Sequence, residues 1–287
     1  FRLRTGSPTA TFLHWSLDMT TEISHTATDL FERMRATKPL VQCITNYVAM
    51  NYAANVLLAA GASPAMVHTP EESGEFAAIA GALTVNIGTL SPSWVEGMIA
   101  AAKSANDAEK PWVLDPVAHF ATGYRRNAVA GLLKLNPTVI RGNASEIIAL
   151  GGGQSAGQGV DSGYPVEQAE DAARSLASSQ GCVVAVTGAV DFVTDGTRSV
   201  RIAGGSDLMP KITATGCSLT ALVGAYLAIA PDQAFDATVA ALGNFAVAGE
   251  IAAKTSNGPA SFMTAFIDGL HNLDGATYAK NLRIDVR

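Results

Sequence analysis

Short apolar runs alternate with longer stretches of helical periodicity from residue 40 onward, and this alternation limits the possible folds more than any other feature. The runs are residues 40–44, 65–68, 83–87, 112–114, 138–140 and 183–186. Each is of strand length and apolar almost throughout, the mark of a strand covered on both faces. Helical patterns occupy the intervals near 47–60, 91–105, 125–134, 143–150 and 165–178. Residues 190–194 and 199–202 read as a hairpin turning at Asp195-Gly196. From 217 to 271 the pattern is wholly helical, and the glycine-rich 151–163 reads as a surface loop. The expected architecture is α/β, a central, mostly parallel β-sheet flanked by helices on both faces.

Composition narrows the functional classes. The chain has 287 residues, with 19 Lys and Arg against 25 Asp and Glu and a net charge of −6. That balance excludes a default nucleic-acid binder, and 48% hydrophobic residues exclude a disordered chain. Charged residues reach only 15%, where about 25% is typical. So little charge covers a monomer's surface poorly, which points to an oligomer. Cys43, Cys182 and Cys217 are three, without Cys-x-x-Cys spacing, which disfavours a disulfide framework or zinc site and favours a reducing cytoplasm. The longest apolar run, 217–230, is too short to cross a bilayer. Residues 1–18 lack the apolar core of a secretory signal. They read as an N-terminal extension outside the fold, leaving 19–287 as one domain.

In open α/β sheets, ligands bind beyond the carboxyl ends of the strands. Asn46, Asp115, Arg141 and Thr187 each stand at or just beyond the end of an apolar run. Singly, each is an ordinary turn or cap residue; together they mark a shared cleft. The segment Ile212-Thr-Ala-Thr-Gly-Cys-Ser leads small residues into a long helix starting near Cys217. Such a helix start is a natural anion site, where a cysteine is expected to be partly thiolate. The alternative is that Gly216 and Cys217 only pack the helix on the sheet. No Walker A or Gly-x-Gly-x-x-Gly motif is present. Asp115 and Glu146 give two carboxylates suited to Mg²⁺, and Arg141 has the fork geometry for phosphate oxygens. These are parts that phosphoryl transfer uses.

The segments CITNYVAMNYAANVLLAAGASPAM, NIGTLS, VLDPV, RGNASEI, VTGAVD, TGCSLTALVGA and GPASF, in this order between about residues 38 and 270, resemble the hydroxyethylthiazole kinase family. The resemblance implies a ribokinase-like fold and transfer of the ATP γ-phosphate to 4-methyl-5-(2-hydroxyethyl)thiazole, a step of thiamine salvage. By motif position it places Met66 against the thiazole, with Asn46 nearby and Ala214 and Gly216 at the anion hole. Arg141 and Thr187 would take ATP phosphates, and Asp115 and Glu146 would position Mg²⁺, directly or through water. Cys217 stands where most ribokinase-like enzymes carry an aspartate base. The family is trimeric, with thiazole sites between subunits. Two departures touch substrate details. Ala214 replaces a frequent glycine, tolerable if its φ is negative. Ala118-His119-Phe120 replaces a glycine-rich segment, so that His119 either approaches the phosphates or makes the loop bulky. A pyrimidine kinase or an ATP-dependent repair dehydratase of the same fold, which typically keeps aspartate at position 217, and a non-catalytic thiazole or nucleotide sensor are the competing readings.

Overall fold

The computed structural model describes the backbone of residues 8–153 and 164–287, and side chains from Met19 onward within those ranges. The strands are β1 Leu40–Ile44, β2 Ser63–Ala65, β3 Ala82–Asn86, β4 Trp112–Asp115, β5 Val139–Asn143, β6 Val183–Thr187, β7 Val190–Thr194, β8 Ser199–Ala203 and β9 Arg283–Val286. The helices are α1 Pro8–Thr37, α2 Met50–Ala60, α3 Ser73–Ile79, α4 Pro92–Asp107, α5 Gly123–Leu133 and α6 Ala144–Leu150, then α7 Glu170–Gln180, α8 Thr215–Ile229, α9 Ala234–Ala253, α10 Pro259–Asn272 and α11 Gly275–Asn281. One sheet runs in the order β2-β1-β3-β4-β5-β6-β7-β8-β9. It is parallel from β2 to β6 and antiparallel from there to β9.

Strand alternation sorts the core. Val41, Cys43, Val113, Val139, Val183 and Ala185 face a layer built from α1, α2, α8, α9 and α10. The intervening Leu83, Val85, Trp112 and Leu114 face α4 and α5, while Ile140, Val184 and Val186 face α6 and α7. The period of two along each strand therefore places one residue set on each face. In α9 nearly every residue from Phe235 to Gly249 is buried, as expected of a helix apolar all round. Two internal helices absorb much of the chain's uncharged content.

The structure differs from the sequence expectation at five elements. Helix α1 carries a buried stripe of Ile23, Ala27, Leu30, Phe31 and Met34 at helical spacing, and it starts at Pro8, inside the segment expected to lie outside the fold. Strand β2 occupies 63–65 rather than 65–68, because Gln42 Nε2 donates to Val67 O at 3.1 Å and draws the chain off the edge. Helices α3 and α11 and strand β9 were not anticipated; all three are short, at four to seven residues. The glycine-rich loop expected at 151–163 lies, from residue 154, outside the described residues.

Helix α8 lies across β1, β3 and β4, and Gly224 sets how closely. A Cβ there would stand 2.4 Å from Thr84 Cγ2 and 3.2 Å from Val41 Cγ1. Both neighbours are stiff β-branched strand residues, so the helix would have to lift. Gly224→Ala is expected to destabilise the protein by about 1–3 kcal/mol, although alanine is the better helix former. Urea unfolding of the two proteins measures the difference.

Candidate active site

Beyond the carboxyl ends of β1, β3, β4, β5 and β6 the sheet opens into a cavity of about 910 Å³. Asn46, Asp115, Arg141, Glu146, Thr187, Ala214, Gly216 and Cys217 all line it. Met66 does not; it follows the edge strand β2 and packs half-buried against the main core. The sequence expectation of a shared cleft thus holds for the four strand-end residues.

Asp115, 1% exposed, is the centre of the site. Its Oδ2 accepts hydrogen bonds from Thr220 Oγ1 at 2.7 Å, Asn86 Nδ2 at 2.8 Å and Arg141 Nη1 at 3.5 Å. Its buried Oδ1 has no hydrogen-bond partner among the described residues. Burial raises the Asp115 pKa against the lowering pull of Arg141 and these hydrogen bonds. From Asp115 a polar chain runs outward: Asn86 Oδ1 accepts from Asn46 Nδ2 at 2.8 Å, and the same Nδ2 lies 3.5 Å from Cys217 Sγ.

Glu146 is held by its position in α6. Asn143 and Glu146 form a capping box, with Asn143 N–H donating to Glu146 Oε2 at 2.8 Å and Glu146 N–H to Asn143 Oδ1 at 3.0 Å. Glu146 Oε1 accepts from the Ala118 N–H at 2.9 Å. Burial first, and the Asp115 charge second, push the Glu146 carboxyl up to about 7. Arg141 Nη2 donates to Thr187 Oγ1. The guanidinium passes over the start of α8, where a Cβ on Gly216 would stand 2.8 Å from Nη1. Glycine at 216 leaves the guanidinium room to lie where it does; a side chain there would push it aside.

The start of α8 corrects two expectations. The helix begins at Thr215 with Ala214 as its N-cap, and Ser218 N–H makes its first turn bond to Ala214 O. The N–H groups of Thr215, Gly216 and Cys217 thus precede the first intrahelical bond and stay available to an anion. Ala214 has φ 65°, the left-handed region that favours glycine, at a cost of about 1–2 kcal/mol; the negative φ that would have made alanine ordinary is absent. Cys217 is no thiolate. Burial, then the charge of Asp115, push its thiol up to about 11, outweighing the lowering pull of Arg141, Asn46 and Asn86. His119 is buried outside the cavity lining, its pKa lowered by burial to about 4. It fills the loop as a neutral ring.

Sequence reasoning missed Asn86, Thr220, Arg125 and Asp191. Asn86 ends β3 as Asp115 ends β4, with which it pairs, so the strand-end rule applies to it equally. Thr220 lies one helical turn after Gly216 and donates inward from α8. Asp191 Oδ1 accepts from Gly188 N–H at 2.9 Å, and burial raises its carboxyl to about 6. No local signal marks Arg125.

Comparison with known proteins bears on the family and the fold. The sequence profile of the hydroxyethylthiazole kinase family matches residues 31–276. The hydroxyethylthiazole kinase of Rhizobium johnstonii is 69% identical over 255 residues, covering 89% of this chain and 96% of that protein. The solved structure of a hydroxyethylthiazole kinase protein from Pyrococcus horikoshii OT3 superposes with a TM-score of 0.83 at 36% identity, over 91% of this chain and 98% of that one. A ribokinase-like superfamily protein from Enterococcus faecalis V583 shares the fold, with a TM-score of 0.61 at 13% identity over 86% and 95% of the two chains. With a ribokinase-like fold and 246 of its residues spanned by the profile (31–276), the chain belongs to the hydroxyethylthiazole kinase family.

Proposed function

We propose that this protein transfers the γ-phosphate of ATP to the hydroxyl of 4-methyl-5-(2-hydroxyethyl)thiazole, giving the thiazole phosphate used in thiamine biosynthesis. The observation that carries the reading is the meeting of Arg141, the open N–H groups of α8 and Cys217 over one buried carboxylate, Asp115. Cation, helix start and hydroxyl-orienting group stand together, as positioning and charge stabilisation of a phosphoryl group require.

Arg141 and Thr187 would bind the ATP phosphates, and Gly216 with its neighbours would cradle the transferring group. Ala214 and Asn46 would border the thiazole alcohol. The unpartnered Oδ1 of Asp115 is an acceptor that suits a cation, so the residues present fit Mg²⁺. Asp115 would hold it directly. Glu146, whose two oxygens already accept backbone N–H groups, would hold it through water. Mg²⁺ when bound supplies charge neutralisation along the phosphates.

Cys217 is the group placed to orient the acceptor hydroxyl. A thiol near 11 is protonated at neutral pH, so it works by hydrogen bonding rather than as a standing base. A loose transition state asks little of a base until late, when the new ester oxygen is strongly acidic and releases its proton readily. The low charge, and the exposed Tyr47 and Val48 beside the cavity, support a trimer in which Met66 completes a thiazole site at the subunit contact. Sedimentation of a monomer at micromolar concentration would overturn that assembly. Three free cysteines, two of them buried, support a cytoplasmic setting.

The direct test mixes protein, Mg²⁺, ATP and the thiazole alcohol and follows ADP. Thiazole-dependent ADP is expected; turnover of a pyrimidine alcohol instead would replace the reading, and no turnover of either would favour a sensor. Cys217→Asp is expected to keep kinase activity, since a carboxylate also orients a hydroxyl. Cys217→Ala is expected to lose about ten- to a hundredfold in kcat. An inactive Asp variant that folds and binds both substrates would count against the orienting role.

The buried carboxylates also set a pH dependence. Glu146 rises from 4.5 to about 7 and Asp191 from 3.8 to about 6. Between these limits the folded protein holds more protons than the unfolded chain, so stability falls as pH rises. His119, lowered from 6.5 to about 4, acts with the opposite sign, one imidazole against two carboxylates. Metal-free protein is therefore expected to unfold at lower urea concentration at pH 8 than at pH 5. Mg²⁺ with ADP should narrow the gap, and stability that rises with pH would refute the assignment.

A further inference from the structure

Arg125 lines the cavity, yet its guanidinium is spent on backbone carbonyls. Nη1 donates to Ile87 O at 2.8 Å and Val117 O at 2.9 Å, and Nη2 donates to Gly88 O. It stands in the first turn of α5, where a cation opposes the helix dipole. Burial also penalises its charge and lowers its pKa. Two unfavourable terms are thus offset by three charge-assisted hydrogen bonds that tie the loop after β3 to the loop after β4.

What those loops carry gives the clasp its meaning. Gly88, whose carbonyl Arg125 holds, turns its N–H to Asn86 Oδ1 at 3.0 Å. That bond, with the donation from Asn46 Nδ2 to the same oxygen, fixes which end of the Asn86 amide is the acceptor. The amide nitrogen of Asn86 is then the end that meets Asp115 Oδ2. Asn46, ordered by Asn86, continues to Cys217 Sγ. A Cβ on Gly88 would stand 2.5 Å from Asn46 Nδ2, so glycine at 88 leaves the asparagine its room, and the link between the two runs through Asn86 Oδ1.

We propose that Arg125 is a positioning residue for phosphoryl transfer: by clasping Ile87, Gly88 and Val117 it holds the Gly88 peptide that orients Asn86, and through Asn86 it sets both Asp115 and the Asn46–Cys217 contact. The proposal rests on the kinase reading above. It assigns Arg125 no contact with ATP or the alcohol.

The test is a double-mutant cycle of Arg125→Gln and Asn86→Ala, with Arg125→Lys as a second variant should Gln fail to fold. Two readouts are taken: kcat with ATP and the thiazole alcohol, and the rate at which iodoacetamide alkylates Cys217. The second needs no turnover, and the buried Cys43 and Cys182 serve as internal controls. Arg125→Gln is expected to lower kcat about ten- to a hundredfold with the KM for ATP within about twofold. Arg125→Lys is expected to resemble it, because an ammonium is a point donor that does not bridge two loops. A third variant, Arg125→Ala, is expected to lose kcat likewise, and added guanidinium ion should restore part of it.

The decisive expectation is non-additivity: in both readouts the double variant is no worse than the more affected single variant. Losses that multiply would overturn the proposal. So would an ATP KM that rises while kcat holds, which would mark a phosphate contact, or a lowered Tm with both readouts unchanged, which would mark a merely structural arginine. If wild-type protein yields no thiazole-dependent ADP, the kinase reading fails, and the alkylation cycle still decides whether Arg125 orders the Asn86–Asn46–Cys217 chain.

Discussion

The close seating of α8 on the sheet is the constraint on which the site depends. Glycine at 224 lets the helix lie against Thr84 and Val41, and that approach brings Thr220 within 2.7 Å of Asp115. The same descent delivers Cys217 to Asn46 and places the helix start under Arg141, where a second glycine, Gly216, leaves room. One helix thus contributes a hydrogen bond to the central carboxylate, open N–H groups at the cavity and the cysteine proposed to orient the acceptor hydroxyl. These three positions are fixed relative to one another because a single rigid element carries them.

Burial governs the chemistry that follows. Asp115, Glu146 and Cys217 are all shifted upward, with desolvation as the largest cause each time. The opposite expectation for Cys217, drawn from the helix start alone, treated the dipole as the dominant field. The structure shows a thiol withdrawn from water next to a carboxylate, and both circumstances favour its neutral form. Local sequence revealed the helix but not the neighbour 102 positions earlier in the chain (217 minus 115).

Much of the architecture was legible because its signals are local and periodic. Continuous apolar runs located the parallel strands, and the polar residue at the end of each run located the cleft. What escaped was either weakly patterned or long-range. Helix α1 has a clear apolar stripe but adjoins a segment set aside as foreign to the fold. Strand β9 alternates exposed and half-buried residues at the sheet edge, a faint period. Arg125 and Thr220 act on groups that only folding brings near. The strand-end rule covered Asn86 as well, and applying it to every strand would have included that residue. Met66 is the reverse case: motif position alone nominated it, and a single subunit does not bring it to the cavity.

The protonated state of Cys217 also bears on the durability of the site. Peroxide and disulfides react with thiolates, and cysteines of low pKa are the ones that climb the oxidation ladder. A cysteine held near 11 presents almost no thiolate at neutral pH, and at the end of its polar chain it is half-buried rather than open to solvent. The environment that raises its pKa also slows its conversion to sulfenic acid. A cysteine in an open cleft is ordinarily an oxidative weak point; here desolvation lowers its reactivity, so oxidation and alkylation alike are expected to be slow.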